Sequence, residues 1–142
     1  MKLTVGKVMD AMIVLTTIIN EKRSMPQKGK FLLARLHARL LPEYNLGNAQ
    51  RDAMIKSYDT LETEDVPDGA TGEVRQVPKM DAKWIVPLEK LEEFNTAWKT
   101  IADEEIDIDV EPISIRQLDM CDGSNGSIEA HELITLGELV TD

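Results

Sequence analysis

The sequence predicts a single α+β domain spanning residues 1–142, and three observations lead to that fold class. The first 59 residues carry apolar side chains at helical spacing, which predicts a helical hairpin. A second helical pattern follows near residue 90, and residues 105–110 then alternate strictly between charged and apolar side chains. A chain of 142 residues is also too short for more than one ordinary domain.

The first helix is predicted to begin after Thr4, whose hydroxyl suits a helix N-cap. Val8, Met12 and Leu15 recur at spacings of three and four residues and would form its buried face. Polar and cationic residues gather at positions 20–23, where the negative end of the helix dipole favours them. We therefore expect the helix to end there.

A second helix is predicted to start at Pro26, because proline suits the first helical position. Leu33, Leu36 and Leu40 mark its buried face. Pro42 has no backbone N–H to donate and is expected to kink or break the helix, although a further helical pattern follows it. Residues 1–59 are therefore predicted to form a helical hairpin whose second arm is long and kinked.

Residues 60–83 show no period and are rich in acidic residues, glycine and proline. We predict an exposed acidic loop here, within which Glu73–Val77 could form a short strand. The remaining residues, 84–142, are predicted to hold one more helix and a strand element. Pro87 would open that helix, and Leu88 and Leu91 would line its inward face. Trp84 and Trp98 are the expected aromatic anchors of the core.

The alternation of charged and apolar residues from Glu105 to Val110 predicts a strand with one buried side. Pro112 follows it and favours an edge strand or a chain that leaves the sheet. The Asp-, Gly- and Ser-rich segment at 119–127 is predicted to form a turn. Ser127 would then cap a short last helix at Ile128–Leu133, completing a small C-terminal β element with its helix.

Charge is distributed unevenly along the chain, whose net charge is −10. Residues 1–61 contain ten Lys and Arg against five Asp and Glu, a net charge of +5. Residues 62–142 contain six against twenty-one, a net charge of −15. The acidic total makes nucleic acid an unexpected partner, because phosphate repels it. The separation of the two charges instead favours oriented contacts between proteins.

Cysteine, histidine and hydropathy exclude further classes. A single Cys cannot form an internal disulfide framework or a four-Cys zinc site, and two His cannot form a multi-His metal site. The apolar run of the first helix is interrupted by Asp10 and is shorter than the roughly 20 residues of a membrane span. We expect no membrane partner, no cofactor, no resident metal and no catalytic residues, and the chain is predicted not to be an enzyme.

Four cations of the second helix are candidate partner-contact residues: Lys28, Lys30, Arg35 and Arg39. No acidic residue interrupts the cationic run between positions 22 and 39. Three interpretations remain open at this point. The cations could form a solvated helix face, match acidic residues of the same or a neighbouring chain, or contact nucleic acid locally.

Three acids of the predicted strand are the matching candidates: Glu105, Asp107 and Asp109. On a strand they share one face at a repeat of about 6.6–6.8 Å. The separation of phosphates along one nucleic-acid strand is similar, so the face could imitate nucleic acid. The simpler interpretation, which we favour, is that charges on an edge strand prevent edge-to-edge aggregation.

Within the segment Asp119–Glu132, residues 121–132 overlap the spacing of a calcium-binding EF-hand loop, with Gly126 and Glu132 at the sixth and twelfth positions of that loop. Cys121 and Gly123 stand where calcium requires oxygen ligands, however. A turn followed by a capped helix is therefore the favoured interpretation, and the alternative of irregular calcium binding stays open. Cys121 and His131 carry too little supporting geometry to predict a nucleophile and base.

The order of several segments resembles that of small proteins encoded by tailed bacteriophages. The resemblance covers most of the chain and follows order and spacing rather than a defined motif; it lies in residues 25–36, 41–44, 51–58, 87–94 and 104–113. It implies a phage protein and supplies no catalytic residues.

We therefore expect a minor virion structural or assembly protein, located in the virion or the host cytoplasm. Its partners would be other phage proteins or copies of itself. The alternative is an inhibitor of a host or defence protein that uses its acidic face as a nucleic-acid decoy.

Overall fold

The computed structural model describes residues 1–21, 23, 25–118 and 128–141, and its fold is α+β as predicted. Contacts divide the chain into two compact units, one built from 1–47 with 100–142 and the other from 48–99. The elements in chain order are β1 (Lys2–Thr4), α1 (Val5–Asn20), α2 (Gln27–Lys56), β2 (Thr63–Pro67), β3 (Val74–Pro78), α3 (Leu91–Ala102), β4 (Glu105–Asp107), β5 (Ile113–Ser114), α4 (Ile115–Leu118), α5 (Ala130–Leu136) and β6 (Val140–Thr141). Short 3₁₀ turns at Leu88–Lys90 and Gly137–Leu139 precede α3 and β6.

The first helix, α1, confirms the prediction at both ends. The Thr4 hydroxyl accepts a hydrogen bond from the backbone N–H of Lys7 at 3.2 Å, and the helix ends at Asn20. Its buried face consists of Val8, Ala11, Met12, Leu15 and Ile18. Leu15 is completely buried in the core of the first unit, as the helical spacing requires.

The second helix, α2, runs without interruption through Pro42 and is thirty residues long. Proline removes a bond to the carbonyl four residues earlier, which here belongs to Ala38. Both residues are exposed, so water can take the place of the missing donor. Leu33, Leu36 and Leu40 are buried as predicted, and the helix packs them into the same core as α1.

The strand predicted at 105–110 is shorter than expected. β4 ends at Asp107 because its antiparallel partner β1 has only three residues and lies at the start of the chain. The last backbone bond of this pairing runs from the Ile108 N–H to the Met1 carbonyl at 2.9 Å. The predicted alternation nevertheless persists beyond the strand, since Ile108 is buried while Asp107 and Asp109 are exposed.

A second small sheet closes the first unit, with β5 and β6 paired in parallel. The last helix, α5, starts at Ala130, later than the predicted Ile128, and Glu129 is its N-cap residue. The backbone N–H of Glu129 donates to a carboxylate oxygen of Glu132 at 2.8 Å, which reinforces that helix start. The predicted cap Ser127 and the predicted turn at 119–127 lie outside the described residues.

The second unit contains a two-stranded hairpin within the predicted exposed loop, and the short strand predicted at Glu73–Val77 is present as β3, one residue later. β2 and β3 pair in antiparallel register, and nearly every residue of both strands is exposed. Asp68 shapes the connection, because its carboxylate accepts from the Ala70 N–H at 3.0 Å. Gly72 then takes a positive φ of 72°, which glycine adopts without strain.

The two tryptophans do not anchor the core, so that prediction is wrong. The core cluster lies in the first unit and is built almost entirely from Leu, Ile, Val and Met. Trp84 is 38 % exposed, and Trp98 is half-buried beneath the guanidinium of Arg51 at 5.9 Å. The buried aromatic side chain of the second unit is Phe94, which meets Tyr58 edge-on with ring centroids 6.3 Å apart.

Candidate interaction surface

The predicted cations of α2 are all exposed and fall into two groups. Arg39 lies 3.7 Å from the carboxylate of Asp109, through its Nη1 and Oδ2 atoms. Lys28, Lys30 and Arg35 form no ion pair within the residues that the structure describes. The sequence left three interpretations of these cations open. For Arg39, the structure supports the second, an ion pair with an acid of the same chain.

The predicted acids lie on the exposed side of β4 and just beyond it. Asp107 accepts from the N-terminal ammonium of Met1 at 3.3 Å, and Asp109 faces Arg39. Glu105 is exposed at the start of the strand, opposite Thr4 in the β1 register. Two of the three carboxylates thus face cations of their own chain, which leaves less unmatched negative charge for imitating nucleic acid.

The opposite charges of the two sequence halves meet within the first unit. Among the described residues, four ion pairs join the basic first half to the acidic second half: Met1–Asp107, Lys7–Glu138, Arg23–Glu132 and Arg39–Asp109. The Arg23 pair is buried, whereas both partners of the Lys7 and Arg39 pairs are exposed; exposed pairs of this kind each contribute about 0–1 kcal/mol. Part of the charge separation along the sequence is therefore matched within the first unit, most strongly at the Arg23–Glu132 pair.

Arg23 and Glu132 form the buried pair that sequence reasoning did not identify. The two terminal guanidinium nitrogens of Arg23 lie 2.5 and 2.7 Å from the two carboxylate oxygens of Glu132. These hydrogen bonds raise the pKa of Arg23 and lower the pKa of Glu132, although burial opposes both shifts. The pair stays ionised at neutral pH and links the chain just after α1 to the first turn of α5.

The same contact bears on the calcium alternative. Residues 119–127 lie outside the described residues, but Glu132, the would-be bidentate ligand, is described. Both of its oxygens already bond to Arg23, and calcium would have to break that pair. Among the described residues, no group of three or more His, Cys, Asp or Glu side chains is placed to hold a metal ion.

A groove of about 270 Å³ lies between α2 and residues 109–117. Arg35 and Arg39 line it from the helix, and Asp109 and Glu111 line it from the other segment. Because both signs of charge border the groove, a simple anion or cation would meet a repelling group there. The groove brings predicted cations and acids together without forming an ion site.

An apolar stripe runs along the solvent side of α2. It consists of Phe31, Ala34, Ala38 and Leu41, which recur at three- and four-residue spacing and which we call the α2 stripe. All four are exposed, and the Phe31 side chain is 65 % exposed. At 100° per residue, Lys30 lies on one flank of this stripe, and Lys28 and Arg35 lie on the other.

The spacing of apolar residues in the sequence already indicates this surface. Leu33, Leu36 and Leu40 form the buried stripe of the same helix, and the exposed residues repeat the pattern on another side. A helix with two apolar stripes and a cationic border has more apolar surface than its own core covers. The prediction assigned only the face of Leu33, Leu36 and Leu40, so the second apolar stripe of the helix was not predicted.

A second exposed apolar surface lies on α3 and the turn before it. Leu88 is 84 % exposed and Leu91 is 42 % exposed. With Glu92 and Asn95 they border an open depression on the helix surface, and we call these four residues the α3 face. The sequence predicted Leu88 and Leu91 to line a buried face, and that prediction is wrong because the helix buries Phe94 instead.

None of the described helices combines the length and apolar character needed to cross a bilayer. In comparisons with known proteins, no protein-family model, no curated protein and no solved structure matches the chain.

Proposed function

We propose that this protein is a non-enzymatic phage protein, a minor structural or assembly component of the virion that acts through protein–protein contacts. The observation that carries the proposal is the α2 stripe, with Phe31 65 % exposed among cations that form no ion pair with any described residue. In this role the protein binds other proteins and catalyses no reaction.

The composition of the α2 stripe suits docking. Fully burying a Phe side chain contributes about 1.5–3 kcal/mol. Phe31 therefore gains most of that energy only when another surface covers it. Aromatic residues and arginine are enriched in the centres of protein interfaces, and Arg35 lies beside the stripe. The cationic flanks would orient an acidic partner as it approaches.

The buried ionisable groups support a structural role. A buried carboxylate such as that of Glu132 is the kind of group that catalysis uses as an acid or base. Arg23 holds this carboxylate ionised and occupies both oxygens, so its contacts stabilise the fold. The phage assignment itself is supported by the resemblance of residues 25–36, 51–58 and 87–94 to small tailed-phage proteins.

The test follows the protein through particle assembly. Virions and assembly intermediates are purified from phage-producing cells, and the protein is quantified in them by mass spectrometry. We expect a stoichiometric association that Phe31→Asp abolishes and Ile134→Asp preserves, because Ile134 is equally exposed but lies on α5. A protein that is absent from both particles and intermediates would overturn the proposal.

A further inference from the structure

We infer that the α2 stripe binds the α3 face of a second copy of this chain, in a head-to-tail contact. This inference rests on the proposed function, since it names the partner of the surface that the proposal identifies as a docking site. Two surfaces that no other described residue covers are thereby matched to each other.

The α2 stripe has a purely cationic border. Residues 27–42 contain four cations and no acid, and three of them, Lys28, Lys30 and Arg35, form no ion pair among the described residues. These side chains are exposed along the first half of the helix. A partner seated on the stripe is therefore favoured if it brings negative charge to one flank, above all to the flank that holds Lys28 and Arg35.

The α3 face has the acidic border that this requires. Glu89 and Glu92 are exposed beside Leu88 and Leu91, and neither forms an ion pair among the described residues. Lys90, the cation within this turn, is held 3.3 Å from Glu93. The carboxylates beside the exposed leucines are therefore available to cations of another chain.

Apolar content and length match as well. The stripe offers one aromatic and one leucine side chain, Phe31 and Leu41, separated by about 15 Å at 1.5 Å per residue. The α3 face offers Leu88 and Leu91, about one turn apart, and its depression continues through Asn95 to Thr96 over about 12 Å, so the two leucines can cover the Phe31 end of the stripe. Two helical surfaces of this size can pack along each other with their apolar residues in contact.

Symmetric pairings are disfavoured by the same charges. Two α2 stripes would bring Lys30 and Arg35 of one copy against those of the other, and two α3 faces would oppose their Glu92 carboxylates. Like charges at an interface suppress such pairings. Contact between unlike surfaces is heterologous, so every copy retains one free stripe and one free face, and association continues into a ring or a filament.

The experiment uses two variants of the full chain, Phe31→Asp on the stripe and Leu88→Asp on the α3 face, with Ile134→Asp as the matched control. Native mass spectrometry and sedimentation velocity report the assemblies, and circular dichroism verifies folding. We expect the natural protein and the control to oligomerise and each variant alone to stay monomeric, at least about 30-fold weaker in self-association than the natural protein. An equimolar mixture of the two variants should form a 1:1 dimer and stop there, because the intact face of one meets the intact stripe of the other.

A charge exchange provides a second test at exposed positions. Arg35→Glu and Glu92→Lys should each weaken self-association, and the double variant should recover it. A monomeric natural protein, a variant mixture without dimers, or self-association of Leu88→Asp alone would each overturn the head-to-tail contact. The proposed function would survive those results if Phe31 were still needed for incorporation into particles, so the two failures are distinguishable.

Discussion

Arg23 and Glu132 lie 109 positions apart in the sequence and form a two-point ion pair in the folded chain, with nitrogen–oxygen distances of 2.5 and 2.7 Å. Their side chains are only 11 % and 5 % exposed. Arg23 also donates through Nε to Glu21 at 2.6 Å, so the guanidinium is held from both sides. This pair joins the end of the α1 segment to the start of α5 and closes the first unit.

Replacing Glu132 with Gln should lower the free energy of unfolding by about 2–3 kcal/mol, because it removes the two-point partner of a largely buried guanidinium and leaves Glu21 as the carboxylate that faces it. Urea unfolding followed by circular dichroism measures the change. The matched control is Glu138→Gln, which breaks the exposed Lys7–Glu138 pair and should cost no more than about 1 kcal/mol. Equal losses in the two variants would contradict a special role for the buried pair.

The same pair predicts how stability depends on pH. The Arg23 guanidinium lowers the pKa of Glu132 from its ordinary value of 4.5 in the folded state. The stabilisation from Glu132 is therefore complete above the unfolded pKa and is lost as pH falls from there through the folded pKa. The stability difference between the natural protein and Glu132→Gln should be constant at neutral pH and shrink below about pH 4. Unfolding curves across that range test this, and a difference that grows on acidification would contradict it.

Local signals predicted much of the fold, and long-range pairings explain what they missed. The Thr4 cap and the spacing of Val8, Met12 and Leu15 act within single turns of α1, so the sequence displays them directly. β1 has three residues and exists because Lys2–Thr4 meets β4 more than a hundred positions away. A strand of that length carries too few residues to show alternation.

The candidate site also combines features that the sequence shows directly with features that depend on long-range packing. The cations of α2 and the acids near β4 were visible in the sequence, but the pairing of Arg39 with Asp109 depends on how α2 packs. The exposure of Leu88 and Leu91 was missed because periodicity identifies a face without stating whether the fold covers it. Phe94, which is three positions from Leu91 and four from Trp98, is the buried residue of the helix instead.

Gly47 marks a close approach of α1 and α2 and gives a prediction about packing. A Cβ atom built on Gly47 would lie 2.9 Å from Met9 Sδ and 3.5 Å from Val5 Cγ1. Gly47→Ala should change stability by less than about 1 kcal/mol, because the gain in helix propensity offsets the displacement of a flexible Met side chain. Gly47→Leu should lower stability by about 1–3 kcal/mol through overpacking. Thermal unfolding of both variants measures the contrast, and a Leu variant as stable as the Ala variant would refute the close approach.

The acids near β4 provide the last prediction, which separates the α3 face from the acidic segment after β4 as the surface that binds the α2 stripe. Asp109→Lys places a cation opposite Arg39, but the Asp109 side chain is 98 % exposed and the pair is 3.7 Å apart. Screening by solvent should limit the loss of stability to about 1 kcal/mol or less. Self-association should be unchanged, because neither the α2 stripe nor the α3 face contains Asp109. Sedimentation velocity of Asp109→Lys beside Glu92→Lys makes the comparison with equal changes in net charge. Loss of self-association in the Asp109 variant, with retention in the Glu92 variant, would transfer the docking surface from α3 to the acidic segment after β4.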